Sequence, residues 1–396
     1  MPWTDHAVEQ RRRFVAAAQT KTETLSALCT RFGISRPTAH KWLARYQQHG
    51  LAGLAERSRR PHTQPAKLHA KWRQRVVACR RQHRTWGSKK VRAFLRHSHP
   101  RAALPAPRTI ARWLQSARLT KTLLPHRRPG PSFPRPKLTL AKRPNEVWTV
   151  DFKGWFRTAD QQRCDPLTVR DLASRYLLGV RLVPRVDELS VRLAMTALFR
   201  RWGLPRCIRV DNGSPFAGQG PFGLSQLSVW WLRLGIRVDF TRPGKPQDNG
   251  AHEQMHRILK AETASPPAAN RRAQQRRFDR WTQIYNHVRP HGALADRVPA
   301  AAYYPSKRPF HPPTPSRYPK TWLTRHVRPN GWIKWRGLLR FIGRPFARQV
   351  IGLHLIDDQI SNLYLDRLFI GSLHQTDGNG SMRACSYTPP PSGPKM

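Results

Sequence analysis

Three carboxylates have positions that suit chemistry better than structure. Asp151 interrupts the apolar segment VWTVDF, and Asp211 ends the segment IRVD just before an Asn-Gly turn. Glu253 lies near the start of a segment with helical spacing, from which it could reach the two aspartates. Three such groups around one point repel one another unless a cation lies between them, and oxygen ligands in this number suit Mg²⁺ or Mn²⁺. Taken singly, each carboxylate also fits a plainer role as a cap or turn residue.

The same helical segment carries a second pattern with chemical meaning. Residues His252 to His256 read H-E-Q-M-H, which fits the H-E-x-x-H motif of zinc metalloproteases. On a helix both histidines would share a face and could bind Zn²⁺, with Glu253 as the base. We reject this alternative, because it leaves Asp151 and Asp211 without a purpose and the positive charge of the chain without a role. We therefore expect both histidines to touch phosphate or to be solvated.

The charge of the chain indicates a polyanionic partner. The 396 residues include 72 Lys and Arg against 22 Asp and Glu, a net charge of +50. No acidic residue lies between Arg57 and Asn145, although apolar residues recur there at helical spacing. The charge therefore belongs to folded segments, which favours double-stranded DNA as the partner over a membrane surface or a small-molecule substrate.

The apolar segments and cysteines bear on the compartment. No apolar run approaches transmembrane length, and the charged segment Met1–Phe14 lacks the apolar core of a signal peptide. The five cysteines are scattered without a C-x-x-C pair, which disfavours a disulfide framework or a cysteine zinc site. We expect the protein to act in the cytoplasm, on the DNA of the nucleoid.

Proline-rich segments divide this long chain into several predicted domains. The two main ones are PHRRPGPSFPRP at residues 125–136 and PSKRPFHPPTPSRYP at residues 305–319. The predicted organisation is a DNA-binding unit with a basic arm (1–62), a second helical DNA-binding unit (63–124), a Pro-rich basic linker (125–144), an α/β core (145–304), a Pro-rich linker (305–325), a small β-rich domain (326–375) and a disordered tail (376–396).

The first N-terminal unit has the pattern of a helix-turn-helix. Leu25, Leu28 and Phe32 form one apolar face, and Gly33 ends that helix. Ser35 can cap a second helix that has Pro37 in its first turn. This second helix is typical of a recognition helix, although a plain helical hairpin has the same pattern. Its outward residues would meet phosphates and base edges: Arg36, Thr38, His40, Lys41 and Arg45.

The second N-terminal unit is also predicted to be helical. Ser88 can cap a helix that contains Val91 and Leu95, and a further helix is predicted over Pro107–Leu119. We expect Arg108 and Arg112 to face outward from this last helix and to contact DNA.

The central and C-terminal parts change to strand periodicity. The core is predicted to contain three strands, helix, strand, helix, strand and helix, which gives a mixed sheet with flanking helices. Residues 331–369 have short apolar runs separated by Gly, as in a small bent sheet or barrel. In the first core helix, predicted over Asp187–Trp202, the expected apolar positions are Leu189, Leu193, Leu198 and Trp202.

Five stretches of this sequence occur in the order found in one known family. The chain resembles insertion-sequence transposases of the D-D-E retroviral-integrase superfamily. The resemblance covers nearly the whole chain. The stretches are TVDFKG (Thr149–Gly154), DLASRYLL (Asp171–Leu178), RVDNGSPF (Arg209–Phe216), PGKPQDNGAHE (Pro243–Glu253) and YNHVRPHGAL (Tyr285–Leu294).

The resemblance implies a fold, an activity and partners. The core would have an RNase H-like fold, with Asp151, Asp211 and Glu253 as the metal-binding and catalytic triad for two Mg²⁺ or Mn²⁺ ions. Water would free the 3′ ends of a mobile element, and those ends would then attack target DNA. A homo-oligomer would assemble on the element's terminal inverted repeats and on target DNA.

Residues around Glu253 are expected to meet the DNA end. The resemblance implies that Gln247 and Asn249 approach it. Arg257 and Lys260 follow Glu253 by four and seven residues on one helix face, which fits a DNA contact or a solvated basic face.

The sequence also departs from the family pattern. Residues 218–226 lengthen the interval between Asp211 and Glu253, Gln254 stands where an Arg is common, and Gly292 stands where a Glu is common. An alternative function is that of a non-catalytic DNA-binding repressor descended from a transposase. The intact triad argues against it.

Overall fold

The computed structural model of the chain describes residues 7–56, 69–120, 138–218, 223–241 and 250–384. Compact packing divides the chain into one unit of residues 1–69 and a second unit of residues 70–396. Most of the predicted basic arm, residues 57–62, and the Pro-rich stretch 125–136 lie outside the described residues.

The first unit is a small helical bundle. Helices α1 (Ala7–Gln19), α2 (Leu25–Arg31) and α3 (Arg36–His49) precede a 3₁₀ turn at Gly50–Leu54. Gly33 has φ +62° between α2 and α3, a left-handed conformation that glycine adopts without a steric penalty. The resulting helix-turn-helix surrounds an apolar core that includes Phe14, Leu28, Trp42 and Leu54.

The two predicted serine caps differ from expectation. Ser35 precedes α3 as predicted, but its hydroxyl pairs with the Thr38 hydroxyl at 2.9 Å and makes no capping bond to a backbone N–H. Ser88 is the first residue of its helix, and Gly87 occupies the N-cap. The prediction for Ser88 was wrong because the turn after Trp86 brings Gly87 to the cap position.

The second unit begins with three more helices. These are α4 (His69–Gln82), α5 (Ser88–Ser98) and α6 (Pro107–Ser116). They share an apolar core to which Val76, Trp86, Val91, Ile110 and Leu114 contribute. Both N-terminal segments are therefore helical, as predicted.

These three helices contact the centre of the unit through Thr85 and Lys90, beside an ion pair between Arg289 and Glu262. Arg289 is 3% exposed, and its Nη1 lies 3.3 Å from Glu262 Oε1 and 3.4 Å from Thr85 Oγ1. Lys90 Nζ donates to the Pro290 carbonyl at 3.1 Å, and Val288 packs into the helical core. The stretch YNHVRPHGAL thus contributes to this attachment.

A mixed sheet forms the centre of the second unit. Strands β1, β3 and β4 are antiparallel, whereas β5 and β6 run parallel to β1, in the order β2-β3-β1-β5-β6 with β4 beside β3. This is the predicted mixed sheet, with one short extra strand. The strands are β1 (Val147–Phe152), β2 (Phe156–Arg157), β3 (Arg163–Asp171), β4 (Leu177–Val183), β5 (Cys207–Val210) and β6 (Arg237–Phe240).

Helices flank this sheet. They are α7 (Glu188–Trp202), α8 (Gln226–Arg233), α9 (Gly250–Thr263) and α10 (Arg271–His287). In α7 the prediction for Leu189 and Leu193 was wrong, since both are exposed, at 67% and 63%. A second apolar stripe that includes Met195 and Leu198 packs on the sheet instead.

Parts of both predicted linkers are hydrogen-bonded to the α/β core. In the first, Thr139 donates through its N–H and its hydroxyl to the Asp239 carboxylate at 3.0 Å. In the second, Ser306 N–H donates to the Trp202 carbonyl and Leu204 N–H to the Arg308 carbonyl, each at 2.8 Å. These segments therefore belong structurally to the α/β core.

The C-terminal part is β-rich, as predicted. Its five-stranded sheet has the order β14-β12-β11-β10-β7, and its three-stranded sheet has the order β13-β9-β8. Strands β13 and β14 continue to Ala384, past the predicted domain end at residue 375, because they pair with β9 and β12. The strands are β7 (Leu323–His326), β8 (Trp332–Trp335), β9 (Leu338–Phe341), β10 (Val350–Leu355), β11 (Ile360–Leu365), β12 (Leu368–His374), β13 (Gly380–Ser381) and β14 (Arg383–Ala384).

None of the described helices is both long and apolar enough to cross a membrane.

Candidate metal and DNA site

The two aspartates lie at the same edge of the central sheet. Strands β1 and β5 are parallel neighbours, with Val147 opposite Cys207 and Thr149 opposite Arg209. Continued by two residues, this register brings Asp151 level with Asp211, and neighbouring strands are only about 4.8 Å apart. Asp151 is partly buried, whereas Asp211 is exposed in the turn that follows β5.

Glu253 reaches the same place from α9. It lies in the first turn of that helix and is exposed. The pKa of the Asp151 carboxyl is raised to about 7, mainly by burial and then by the negative charges of Asp211 and Glu253. The structure therefore brings the three predicted carboxylates into electrostatic contact.

This donor set fits a divalent cation. The pKa of Asp151, raised to about 7 first by burial and then by the charges of Asp211 and Glu253, means that a negative charge at this point is unfavourable in the metal-free protein. A hard divalent ion would remove that repulsion, and carboxylate oxygens are the ligands that Mg²⁺ and Mn²⁺ prefer.

The histidines of α9 point into the protein. His252 is fully buried and His256 is 6% exposed, so the expectation that they touch phosphate or are solvated was wrong. His252 Nδ1 lies 2.8 Å from the Thr149 hydroxyl, and His252 Nε2 lies 2.6 Å from the Thr168 hydroxyl. His256 Nε2 lies 2.7 Å from the same Thr168 oxygen.

The two histidines also lie close to Asp151. His256 Nδ1 is 3.8 Å from Asp151 Oδ2, and the ligand atoms of Asp151, His252 and His256 all lie within 4.8 Å of one another. Both ring nitrogens of His252 lie within hydrogen-bond distance of threonine hydroxyls. The rejection of a zinc-metalloprotease site stays a prediction, because the ligand atoms of Asp151, His252 and His256 lie close enough together to hold a metal ion.

Several residues that build this site carried no clear sequence signal. Thr149 and Thr168 lie on β1 and β3, and each holds a histidine of α9. Arg170 is 2% exposed, and its Nη1 donates to the Ala251 carbonyl at 2.7 Å, which ties the start of α9 to β3. The alternation of polar residues along β3 was the one available signal.

The outward face of α9 is basic. Arg257 and Lys260 are exposed on the same side as Glu253. Lys153, just after β1, is close enough to Lys260 for that charge to lower its pKa, after the larger effect of burial. Gln247 and Asn249, the other residues expected at the DNA end, lie outside the described residues.

The predicted DNA contacts of the first unit lie on α3. Arg36, His40 and Lys41 are exposed, and Thr38 and Arg45 are partly buried. The Arg45 guanidinium lies 5.0 Å from the centre of the Trp42 ring, where it is held over the core. The helix thus presents a basic surface.

The predicted DNA contacts of the second unit lie on α6. Arg108 and Arg112 are both exposed there, one helical turn apart, while Ile110 and Leu114 are buried. The amphipathic pattern of this helix therefore turns its basic residues outward.

Comparisons with known protein families agree with this architecture. Two models, both described as an integrase core domain, match residues 141–246 and 234–299. A helix-turn-helix domain matches residues 10–62, and a homeodomain-like domain matches residues 38–114. The matches thus place an integrase core domain at residues 141–299 and helix-turn-helix or homeodomain-like domains at residues 10–114.

The curated relatives of this integrase-core protein come from insertion elements. It is 27% identical over 284 residues to an uncharacterized 39.2 kDa protein of insertion element IS476 from Xanthomonas euvesicatoria, a match that covers 71% of this chain and 78% of the relative. It is also 27% identical over 175 residues to an uncharacterized 31.7 kDa protein of IS407 from Burkholderia multivorans. That match covers 44% of this chain and 61% of the relative.

Two solved structures of viral integrases match this chain at low identity and low TM-score. A chain of the simian T-cell lymphotropic virus intasome in complex with PP2A regulatory subunit B56 gamma is 16% identical, with a TM-score of 0.37 over 81% of this chain and 99% of that chain. The HTLV-2 integrase catalytic core domain in complex with magnesium is 14% identical, with a TM-score of 0.30 over 41% of this chain and 98% of that chain.

Two of the stretches that resemble the family, DLASRYLL and YNHVRPHGAL, contribute to the structure of the core. Asp171 accepts hydrogen bonds from the N–H groups of Asn145 and Ser174, both at 2.7 Å. The Asn286 side chain accepts from Leu177 N–H at 2.8 Å and donates to the Leu177 carbonyl at 2.9 Å. These side chains hold the β3–β4 connection and fasten α10 to the edge of β4.

Proposed function

We propose that this integrase-core protein is a DNA transposase that binds the ends of a mobile element, cleaves them and transfers them to target DNA. One observation carries the proposal: Asp151 and Asp211 stand level at the ends of neighbouring parallel strands, and burial together with the charges of Asp211 and Glu253 raises the pKa of Asp151 to about 7. These neighbouring charges destabilise the metal-free protein, whereas a bound cation would offset them, as in a cation-dependent enzyme.

The three carboxylates would hold Mg²⁺ or Mn²⁺, and two ions are proposed. Bound divalent cations supply activation of a water or 3′-hydroxyl nucleophile and stabilisation of the leaving oxygen at phosphorus. The protein contributes the positions of the ligands. Asp151 is held on a buried strand, and its carbonyl oxygen lies 3.0 Å from the Thr168 hydroxyl oxygen.

The exposed side of the site is suited to a DNA strand. Asp211 and Glu253 face solvent, as do Arg257 and Lys260 on the same face of α9. The cations of this face would bind phosphates next to the scissile one and offset the repulsion between DNA and the carboxylates. Gln247 and Asn249 are proposed to approach the DNA end from the segment that precedes α9.

The basic helices are proposed to bind the terminal repeats. The exposed α3 and α6 each present basic residues, so two helices of this chain could enter grooves of the same DNA end. The proposed contacts are Arg36, Thr38, His40, Lys41 and Arg45 of α3 and Arg108 and Arg112 of α6. The assembly proposed on DNA is a homo-oligomer, acting on the nucleoid in the cytoplasm.

The test is a pair of charge-neutralising variants of the full chain. Oligonucleotides that carry the element's ends, found from the DNA that flanks the reading frame, are incubated with protein in Mg²⁺. Asp211→Asn should abolish end cleavage and strand transfer while end binding in a mobility-shift assay stays within about twofold, because the cation site is lost and α3 and α6 are untouched.

Asp279→Asn is the matched control. Asp279 is an exposed aspartate of α10 that lies 3.6 Å from Arg181, away from the triad, and its loss should leave both activities intact. Strand transfer by Asp211→Asn at the rate of the unsubstituted protein would refute the triad. Tight end binding by a wild-type protein that never cleaves would instead favour the repressor alternative.

A further inference from the structure

A buried polar cluster lies directly beneath the Asp151 carboxylate. Its members are Thr149, Thr168, His252 and His256, and the contact that faces the site is His256 Nδ1, 3.8 Å from Asp151 Oδ2. The proton positions in this cluster decide what His256 presents to Asp151. The hydrogen-bond network allows two assignments, according to whether Thr149 donates to the Arg170 carbonyl or to His252 Nδ1, and the first of them leaves an electron pair on His256 Nδ1.

The assignment begins at Thr149. Its hydroxyl lies 3.3 Å from the Arg170 carbonyl, which can only accept. When Thr149 donates to that carbonyl, its oxygen must accept from His252 Nδ1. The neutral His252 ring then has an electron pair on Nε2, and this nitrogen accepts a hydrogen bond from the Thr168 hydroxyl at 2.6 Å.

Thr168 then has no hydrogen left for His256. Its oxygen lies 2.7 Å from His256 Nε2, so this nitrogen must be the donor. The same result follows if Thr168 donates to the Asp151 carbonyl at 3.0 Å, because the hydroxyl carries a single hydrogen. In both arrangements the neutral His256 ring is protonated on Nε2 and keeps an electron pair on Nδ1.

That electron pair faces Asp151 Oδ2. Two electron-pair donors 3.8 Å apart have no attraction for each other. A metal ion between them could bind both, since metal–nitrogen and metal–oxygen bonds are each about 2.0–2.2 Å long.

We propose that His256 Nδ1 is a nitrogen ligand of the ion held by Asp151. The inference rests on the proposed function, because it assumes that Asp151 binds the cation. His252 is not a ligand in this scheme; it fixes the Thr168 hydroxyl and thereby the tautomer of His256. Imidazole nitrogen suits Mn²⁺ and later transition ions better than Mg²⁺, so this site should prefer Mn²⁺ more strongly than an all-carboxylate site does.

Two substitutions of His256 distinguish a role as metal ligand from a purely structural role. The amide of a glutamine reaches about as far as histidine Nε2, so His256→Gln keeps a donor for Thr168 and removes the Nδ1 ligand. The shorter His256→Asn places its amide near the Nδ1 position and removes the bond to Thr168. A purely structural role would therefore tolerate Gln, whereas a ligand role would not.

The experiment uses the full chain loaded with Mn²⁺ and needs no DNA. Pulsed electron paramagnetic resonance detects the nitrogen-14 of an imidazole bound to Mn²⁺, and calorimetric titration gives the affinities for Mn²⁺ and Mg²⁺. The wild-type protein should show the nitrogen coupling. His256→Gln should lose it and bind Mn²⁺ at least about tenfold more weakly, with a change for Mg²⁺ of no more than about threefold. Its melting temperature should match that of the wild type.

The opposing outcomes are distinct. A wild-type protein that binds Mn²⁺ without nitrogen coupling, or a His256→Gln variant that retains the coupling, would overturn the role of His256 and leave the triad standing. Asp211→Asn serves as the control for the triad and should weaken the binding of Mn²⁺ and of Mg²⁺ by similar factors. A wild-type protein that binds neither metal any better than Asp211→Asn does would overturn both the triad and the ligand.

Discussion

Replacing Asp151 with asparagine should stabilise the metal-free protein. In the folded chain the Asp151 side chain is 21% exposed, and burial together with the charges of Asp211 and Glu253 raises its pKa to about 7. In the unfolded chain the pKa returns to about 3.9. Because a tenfold change in proton affinity is worth about 1.36 kcal/mol, ionised Asp151 destabilises the fold by at most about 4 kcal/mol. Partial solvation makes about 1–3 kcal/mol the expected range.

The pH dependence of this effect has a definite sign. Between about pH 4 and pH 7 the folded protein holds a proton on Asp151 that the unfolded chain has released. Raising the pH removes that proton from the folded state, so the free energy of unfolding falls through this window and stays low above it. Asp151→Asn cannot ionise. It should therefore match the wild type near pH 4.5 and exceed it at pH 8.

Scanning calorimetry in EDTA and in Mg²⁺ provides the measurement. For a core of this size about 1 kcal/mol corresponds to about 2–4 °C, so the variant should melt at least about 2 °C higher at pH 8 in EDTA. Saturating Mg²⁺ should raise the melting temperature of the wild type but not that of the variant. The control is Asp187→Asn at the N-cap of α7, where the Ser190 N–H lowers the pKa of the carboxyl and no such gain is expected. Equal melting temperatures at pH 8, or a gap that does not vary with pH, would refute the charge argument.

Two further predictions concern DNA binding and the core. Lys41→Ala should weaken binding to all DNA sequences and reduce the slope of log affinity against log salt by about 0.9, as fluorescence anisotropy can show, whereas Lys41→Arg should keep the slope. An unchanged slope in the Ala variant would remove Lys41 from the phosphate contacts. Leu198→Ala should lower the free energy of unfolding by about 2–5 kcal/mol and Leu193→Ala by less than about 1 kcal/mol, since Leu198 is 1% exposed and Leu193 63%. Similar losses in urea titrations would contradict the assigned face of α7.

Much of the fold could be predicted because local rules govern it. Period-two apolar patterning marked β1 and β5, and the Asn-Gly pair after Asp211 marked the end of β5. Gly33 marked the turn between α2 and α3, where the backbone does adopt a left-handed conformation. These features depend on residues close in sequence, so the chain itself determines them.

The choice between two apolar faces depended on the tertiary structure. In α7 both the stripe with Leu189 and Leu193 and the stripe with Met195 and Leu198 have helical spacing. Only the position of the helix over β4, where Leu198 meets Gly179, decides which stripe is buried. Periodicity shows which residues share a face, and packing decides which face is covered.

The same distinction applies to the proposed site. The sequence by itself determined that Asp151, Asp211 and Glu253 stand at strand ends and at a helix start, and that His252 and His256 share one helix face. It could not show that this face meets Thr149 and Thr168, because those hydroxyls come from β1 and β3, about a hundred residues earlier in the chain. Sheet pairing brings these distant residues together, so only the tertiary structure decided that the histidines are buried beneath Asp151.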